Sequence, residues 1–600
     1  AGPAPTLNFH YAWQPFKIDN MIPTTRNWLL EGGLPWQAIA WDHSKPIMLG
    51  EDMYDPYCIR SPYGSSQWGG NQAYDPATEA QVTYDAYHML AEGYYRAGVS
   101  VWNPWGLSET RPAGEKYIPL GQVMPDYLIA TDQLNRTFAS GQTVGRTLRV
   151  YNQLFQNLSV RLESQLVIDG KAVTNETSRF QLLAGKSHVM TMSLHMPTVQ
   201  TVTRAQWQLR LVSDDNTLLC DRTYDYTLFP TPAPVINASD WAVLGQLPIP
   251  SLDSQRFVSL EQALAAKPKR LLLAGISLSQ KQGQLLDQAV SEGLDVTWIA
   301  APARSWLPAS LQLDDEHQAC FAFISRPNDV LMQGLTDNAT GLWGADTLVA
   351  SNTMSKPDRG AFEIILSTGS PGGLTRVAML RLMCGKGSYV ICQMPVLAKA
   401  ASEPAANEIL HRLINKPTPE HTATGQLAVS ASADSSLRHA LTNLHVPFSE
   451  FATGSQPEML MVDASEQTVD PQVLSQVKQQ LARGHHVWLQ RPTQSWCDAL
   501  VMDVQVKLQA SARVSLRQNQ LLLAGLDNDD FYWQRHGKDS LPIVQQTFDD
   551  SDATGSVYPA ALWIKVMPNG AKLIACQLRW DQMSIAMPQR CSRMISTMLH

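Results

Sequence analysis

The sequence predicts a multidomain protein that combines α/β and all-β architecture. Three observations support this class. Strand and helix patterns alternate at the start of the chain, short strands separated by turns follow, and one α/β pattern then occurs twice. A chain of 600 residues has room for about four domains of ~150 residues each. We therefore predict four domains, over residues 1–115, 116–232, 233–417 and 418–600.

The most informative stretch of the first domain is the apolar run that ends at Glu51. Residues 47–50 are apolar or small, and the carboxylate follows them directly. Short apolar runs of this kind are typical of a buried parallel strand. In a barrel of parallel strands, the carboxyl ends of the strands carry the chemistry. Taken alone, however, these residues fit more readily a strand that ends in a solvated acid.

The neighbouring segments favour the barrel. Residues 7–13 form a strand-like run, and a helical stretch after them ends at Gly32. Residues 81–97 carry apolar side chains at helical spacing, Gly98 ends that pattern, and residues 99–106 form the next strand and its loop. The order of strand, helix, strand, helix and strand is the repeat of a (β/α)8 barrel.

These strands also resemble a known family. The resemblance is carried by the segments LNFHYAW, KPIMLGE and VSVWNPWG. Together they resemble the last three strands of a clan A glycoside hydrolase barrel, most of all family 2, the β-galactosidase and β-glucuronidase group. The resemblance implies that Glu51 is the nucleophile of a retaining glycosidase. The family's general acid/base Glu belongs to strand four, and we expect that residue, with strands one to five, to lie outside this chain.

The same strand ends supply candidate substrate-binding residues. The resemblance implies that Trp102 forms the floor of the sugar subsite and that His10 or Tyr11 lies beside the nucleophile. Trp102 and Trp105 flank Asn103 at a strand end, where aromatic faces suit the apolar faces of sugar rings, although a tryptophan more often fills a core. We predict that all five residues contact an oligosaccharide or polysaccharide substrate.

The predicted activity is cleavage of a glycosidic bond by double displacement. Two alternatives stay open from the sequence. The first is a non-catalytic glycan-binding or scaffold protein with an incomplete barrel. The second is another enzyme class that uses Asp52 or Asp55 with a metal. The polar residues 52–76 are predicted to form a long loop that covers or lines the site.

The composition narrows the function further. The chain has 46 basic and 54 acidic residues, a net charge of −8 without long runs, which argues against nucleic-acid binding. We find no run of 18 apolar residues and therefore predict no membrane span. The eight cysteines show no CxxC spacing, so we predict buried thiols and neither a metal nor a cofactor. The function implied by the resemblance suits a periplasmic or secreted location.

The sequence pattern changes after the first domain, where runs begin in which apolar and polar residues alternate. Residues 147–152, 160–168, 188–194 and 205–212 alternate between apolar and polar side chains. Turn residues lie between these runs, and a proline-rich linker follows. The spacing predicts a β-sandwich of the immunoglobulin-like kind, as family 2 enzymes carry beside their barrels.

The remaining residues contain an internal duplication. Residues 270–275, 280–298 and 385–393 match residues 458–463, 471–488 and 569–577. Strand–helix–strand order in both copies predicts two doubly wound, mostly parallel sheets. The copies resemble the glutamine-amidotransferase-like domain that occurs beside some β-galactosidase barrels, where it mediates trimers. The resemblance therefore implies a homo-oligomer, or association with the N-terminal half of the enzyme.

Neither copy has the sequence of a catalytic domain. An amidotransferase needs a cysteine on a G-x-C-x-G turn, and Cys384 lies in LMCGK instead. Residues 369–372 do not form a G-x-S-x-G turn, and residues 385–387 do not form a phosphate-binding loop. We therefore predict that both copies are inert scaffolds.

Overall fold

A computed structural model gives the fold of the larger part of the chain. It describes residues 7–10, 46–52, 62–104, 124–231, 238–314, 318–358, 360, 362–370, 372–416, 427–452, 454–516, 523–532, 542–549 and 557–599. The protein is a mixed α/β protein with several sheets, as the sequence predicts. It forms two compact units, one of residues 1–356 and 365–419, the other of residues 357–364 and 420–600.

The first unit begins with a three-stranded sheet. Its strands are β1 (Leu7–His10), β2 (Ile47–Asp52) and β3 (Val101–Pro104). All three are parallel and lie in the order β1-β2-β3. Helices α1 (Pro62–Gly69) and α2 (Glu79–Ala97) lie between β2 and β3 along the chain. The sequence placed α2 correctly to within two residues.

Two antiparallel sheets follow and enclose one core. Their strands are β4 (Tyr127–Thr131), β5 (Thr137–Ala139), β6 (Thr143–Asn152), β7 (Leu158–Ile168), β8 (Lys171–Leu182), β9 (Ser187–His195), β10 (Thr203–Ser213) and β11 (Leu218–Phe229). One sheet has the order β4-β6-β9, and the other has the order β5-β11-β10-β7-β8, in which β5 runs parallel to β11. At the centre, fully buried Trp207 donates its indole N–H to Ser164 at 2.9 Å. Apolar residues of both sheets surround this pair.

A nine-stranded sheet completes the first unit. Its strands are β12 (Trp241–Gly245), β13 (Arg270–Ala274), β14 (Asp295–Ile299), β15 (Leu313–Asp314), β16 (Phe323–Ile324), β17 (Thr353–Ser355), β18 (Phe362–Ser370), β19 (Gly373–Cys384) and β20 (Gly387–Cys392). Its main path is β12-β13-β14-β20-β19-β17-β15. The first four strands of that path are parallel, and β19 is antiparallel to β20.

The second unit contains a six-stranded sheet and two small ones. The strands are β21 (Leu427–Ser430), β22 (Ser449–Glu450), β23 (Met459–Asp463), β24 (His486–Gln490), β25 (Val506–Ser511), β26 (Ser515–Leu516), β27 (Val544–Phe548), β28 (Val557–Tyr558), β29 (Leu562–Val566) and β30 (Lys572–Cys576). The large sheet has the order β22-β21-β23-β24-β30-β29, and β25 pairs with β27 and β26 with β28. Its two faces are covered by separate apolar cores.

The two large sheets share a detailed arrangement. In each, three neighbouring parallel strands, β13-β14-β20 or β23-β24-β30, are followed by one antiparallel strand. The residue after the middle strand has a positive φ in both sheets, 53° at Ala300 and 55° at Arg491. Its N–H donates to the carbonyl of Cys392 at 2.9 Å in one sheet and of Cys576 at 2.7 Å in the other. The two sheets therefore share an equivalent backbone hydrogen bond after the middle strand.

The remaining α-helices flank these sheets. They are α3 (Leu260–Ala265), α4 (Gln280–Glu292), α5 (Val396–Lys399), α6 (Pro404–Asn415), α7 (Ser436–Asn443), α8 (Pro471–Ala482), α9 (Gln494–Ala499), α10 (Trp580–Ala586) and α11 (Pro588–Leu599). Among the described residues, no helix has both the length and the apolar character that crossing a membrane requires.

The predicted loop of residues 52–76 needs correction, because α1 and a short 3-10 helix (Gly70–Tyr74) lie within it. Ser65, Ser66 and Tyr74 are almost fully buried, so this part does not form a polar cover. The helix comes very close to β18: a Cβ added at Gly369 would lie 2.6 Å from the Cα of Gln67. The serines and glycines of this segment suggested a loop in the sequence. Their small size permits the close packing of the helix against β18.

Candidate functional site

The carboxyl ends of β1, β2 and β3 bring the predicted site residues together at backbone level. His10, the last residue of β1, is the Cα partner of Glu51 in β2. On the other side of β2, Leu49 is the partner of Trp102, and Asn103 follows in β3. Since the strands are parallel, their carboxyl ends meet at one edge of the sheet, which is where barrel enzymes carry their chemistry.

Strand β2 contains one extra residue at this edge. Against β1, the register moves from Leu49 opposite Phe9 to Glu51 opposite His10. Against β3, the register moves from Leu49 opposite Trp102 to Asp52 opposite Pro104. Strand β2 therefore has one extra residue relative to each of its two neighbours. Bulges are rare between parallel strands, and bulges in general are over-represented at sheet edges, at barrel rims and next to active sites.

The bulge was missed by sequence reasoning, although a signal for it exists. A glycine inside a strand often marks a bulge, and Gly50 stands at the extra position. In an unbroken register Gly50 would be the partner of His10. The inserted residue therefore sets the carboxylate-bearing position, Glu51, opposite the histidine.

The structure does not describe three of the residues predicted from the sequence. Tyr11 and Trp105 lie outside the described residues, as does Asp55. Asp52 is the last residue of β2, one position beyond Glu51. In the described ranges, no group of three or more His, Cys, Asp or Glu side chains has an arrangement that could hold a metal ion.

Helix α2, which leads into β3, is anchored by a buried ionic cluster. Glu92 is 3% exposed, and Arg222 of β11 contacts its carboxylate at 2.9 Å. On the same helix, His88 Nδ1 lies 3.3 Å from that carboxylate and Arg96 lies 3.4 Å from it. Arg96 also donates to the carbonyl of Thr131 in β4 at 2.9 Å. The cluster therefore ties α2 to two strands of the neighbouring sheets.

The charge of Glu92 is set by its partners. Burial alone would raise the pKa of Glu92, but Arg222 and His88, together with Arg96, lower it to about 2. The group is therefore an anion at all ordinary pH values. Its role is structural: it fixes the helix that precedes β3, and sequence patterns gave no indication of its distant partner.

The cysteines of the two large sheets do not have the character of nucleophiles. Cys392 and Cys576 are completely buried at the ends of β20 and β30. Burial raises the pKa of both thiols to about 12, whereas a nucleophilic cysteine needs a lowered pKa. Burial and nearby Asp287 also raise the pKa of Cys384. All three are thiols, not thiolates, at neutral pH.

A second perturbed carboxyl group, Glu403, lies at the start of α6. It is 2% exposed, the hydroxyl of Thr137 in β5 donates to it, and the N–H of Gly344 donates to it at 3.2 Å. Burial raises the pKa of Glu403 to about 7, although the N–H groups of Gly344 and Ala405 and the charge of Lys399 oppose this shift. The group therefore titrates near neutrality.

Replacing Glu403 by Gln is expected to stabilise the protein at alkaline pH. The folded pKa of about 7 lies above the ordinary value of 4.5, so the stability that this group contributes is fully present below pH 4.5 and is lost as the pH rises to about 7. Above pH 7 the ionised carboxylate costs about 3 kcal/mol, at 1.36 kcal/mol per unit of pKa. Gln keeps an acceptor for Gly344 and never ionises. Urea unfolding at pH 4.5 and pH 8 measures the difference.

The control for this prediction is Glu458→Gln, which changes an exposed carboxyl group. We expect Glu458→Gln to behave like the unaltered protein at both pH values. An equal effect of Glu403→Gln at pH 4.5 and pH 8 would contradict the assignment, because the stabilisation comes only from removing an ionisable group.

Comparisons with known proteins give little further information on this site. No family model matches the chain, and no curated protein matches it. Among solved structures, a match exists to the CARDB domain of a Pyrococcus furiosus protein, a structure determined in complex with di-metal ions. That match has 12% sequence identity and a TM-score of 0.14, and it covers 18% of this chain and 92% of the other.

Proposed function

We propose that this chain is part of a retaining glycoside hydrolase of the β-galactosidase and β-glucuronidase kind. The observation that carries the proposal is the parallel order β1-β2-β3 with His10 and Glu51 as register partners. This is the arrangement expected for the last three strands of a (β/α)8 barrel, and it agrees with the resemblance of the three strand segments. The comparisons with known proteins do not bear on this proposal.

In the proposed reaction, the Glu51 carboxylate attacks the anomeric carbon of the sugar. A bond forms between the carboxylate oxygen and that carbon, and the bond to the leaving oxygen breaks, with its electron pair going to the leaving group. A second carboxyl group, contributed from outside this chain, protonates the leaving oxygen and then activates water. Retention requires the two carboxyl groups to lie about 5–5.5 Å apart.

The substrate-binding roles follow from the same resemblance. Trp102 is proposed to form the floor of the sugar subsite, and Asn103 and Trp105 to contact the substrate beside it. His10 or Tyr11 would hydrogen-bond to Glu51 and favour its ionised form. The substrate is an oligosaccharide or polysaccharide, and a periplasmic or secreted location suits such a substrate.

The other parts of the chain are proposed to be structural. The two antiparallel sheets around Trp207 would form the immunoglobulin-like module that accompanies such barrels. The two large sheets would be glutamine-amidotransferase-like domains that have no chemistry and mediate assembly. The raised pKa values of Cys392 and Cys576 support only the absence of chemistry at these two thiols, because neither has the character of a nucleophile.

A mechanism-based inactivator tests the nucleophile directly. A 2,4-dinitrophenyl 2-deoxy-2-fluoroglycoside has a leaving group that departs as a stable phenolate, so the first step does not depend on the acid/base residue. The chain, together with the part of the enzyme that carries the other barrel strands, would be treated with the galactosyl, glucosyl, glucuronyl and mannosyl forms and then digested for mass spectrometry. We expect one sugar to become attached to the peptide that contains residue 51.

The matched control is Glu51→Gln, which lacks the nucleophilic oxygen and should remain unlabelled. Labelling of a different residue would refute the proposed nucleophile. Absence of labelling with all four sugars, combined with saturable glycan binding, would instead support the non-catalytic glycan-binding or scaffold protein.

A further inference from the structure

A cleft lined by polar and apolar groups lies between helix α6 and the loops of the two antiparallel sheets. It has a volume of about 560 Å³. Its helical wall is formed by Glu408, His411, Arg412 and Asn415, whose spacing of three and four residues places them on one face of α6. The opposite wall includes Ser140, residues 198–200 and Pro230. Both walls belong to the first compact unit.

The loop wall of the cleft is held in a defined shape. The N–H of Val199 donates to the hydroxyl of Ser140 at 2.9 Å, which joins the loop before β10 to the turn before β6. The N–H of Ser140 in turn donates to the carbonyl of Phe229, at the end of β11, at 2.8 Å. These bonds link all three segments of the wall, so the cleft is preformed and a ligand would not have to order it.

The helical wall carries no uncompensated charge. Arg412 donates to Glu408 at 2.7 Å and to the carbonyls of Leu331 and Gln333 at 3.3 and 2.7 Å, so its guanidinium is already engaged. The Nδ1 atom of His411 is buried and has no hydrogen-bond partner among the described residues. Burial lowers the pKa of His411, against the opposing charge of Glu408. A second ring proton would be buried without an acceptor, which keeps the imidazole neutral.

We propose that this cleft binds a neutral oligosaccharide at a site separate from the carboxyl edge of β1, β2 and β3. The ligand class rests on the proposed function. The cleft offers side-chain donors and acceptors in the amides of Gln200 and Asn415 and the hydroxyl of Thr198, and sugar hydroxyl groups both donate and accept. Val199 and Pro230 offer apolar contacts for the C–H faces of a sugar, and the volume lies within the roughly 300–1,000 Å³ that is usual for ligand sites.

Calorimetric titration of the whole chain tests this site with four neutral probes: cellotetraose, mannotetraose, galactotetraose and tetra-N-acetylchitotetraose. We expect at least one to bind saturably. Thr198→Trp, which fills the cleft from the loop side, should remove that binding step. Asn415→Ala should weaken it at least 10-fold through loss of the amide contacts. Because Thr198 is exposed and lies outside α6, its replacement remains informative if a helix variant does not fold.

The control is Gln288→Ala, which removes an amide on helix α4, outside the cleft lining, where the Gln288 side chain donates to Glu292 at 3.1 Å. It should bind like the unaltered chain. If none of the four probes shows a binding step that Thr198→Trp removes, the proposal is overturned. Loss of binding in Thr198→Trp without any labelling of Glu51 would retain the cleft site and reject the proposed catalytic function.

Discussion

Replacing Glu51 by Gln is expected to lower turnover of an activated aryl glycoside by roughly 10⁴-fold or more, as removal of a covalent nucleophile does in other enzymes. The amide has nearly the shape of the carboxylate but cannot form the glycosyl ester. Glu51 stands at the end of a short strand, opposite His10, so the change should leave the thermal midpoint almost unaltered. Steady-state kinetics and thermal unfolding measure both quantities on the same preparations, which include the part of the enzyme that carries the acid/base residue.

Glu176→Gln provides the comparison for this experiment, because it makes the same chemical change at an exposed position on β8. It should retain the full rate. A Glu51→Gln protein with a near-normal rate would remove Glu51 from the mechanism. An equal loss of rate in both variants would indicate a general effect of charge.

Replacing Glu92 by Gln is expected to cost about 3–5 kcal/mol of stability, the usual result of breaking a buried ion pair. The change leaves Arg222 and Arg96 without their common counter-charge and removes the carboxylate that lies beside His88. Since the pKa of Glu92 is about 2 in the folded protein and 4.5 ordinarily, its contribution is fully present above pH 4.5 and is lost as the pH falls to about 2. Hydrogen exchange of α2 at pH 7 and at pH 3 follows this loss.

Glu163→Gln is the matched control, because Glu163 also lies between two arginines, Arg161 at 2.9 Å and Arg210 at 3.2 Å. These partners are partly exposed, and we expect a cost of about 1 kcal/mol or less, as for surface ion pairs. Equal costs for the two variants would mean that burial of the Glu92 cluster contributes nothing to its strength.

Sequence periodicity was sufficient to predict a helix or strand wherever that element depends on residues close together in the chain. The helix ending at Gly98 could be predicted because its apolar positions recur every three or four residues and a glycine follows, with a φ of 82° in the structure. The strands around residues 160–168 and 205–212 could be predicted because one face is buried and the other is not. Both patterns can be recognised in a short stretch of sequence.

Features that depend on distant residues could not be predicted in this way. Helix α1 contains the sequence PYGSSQWG, which resembles a loop, and it is a helix because β18 and β19 bury it. The partner of Glu92 is Arg222, 130 positions further along the chain, and no local pattern connects the two. The bulge at Gly50 changes the register between strands, a relation that one strand cannot reveal alone.

The packing of α1 also has a consequence for synthesis of the protein. The helix lies near the start of the chain, but Gly369 and β19, against which it packs, are made about three hundred residues later. At roughly 5–20 residues per second, translation of that interval takes at least ~15 s. The buried serines of α1 therefore stay exposed on the nascent chain until the first large sheet has left the ribosome. Helix α1 thus depends, for its final packing, on a part of the protein that is translated after it.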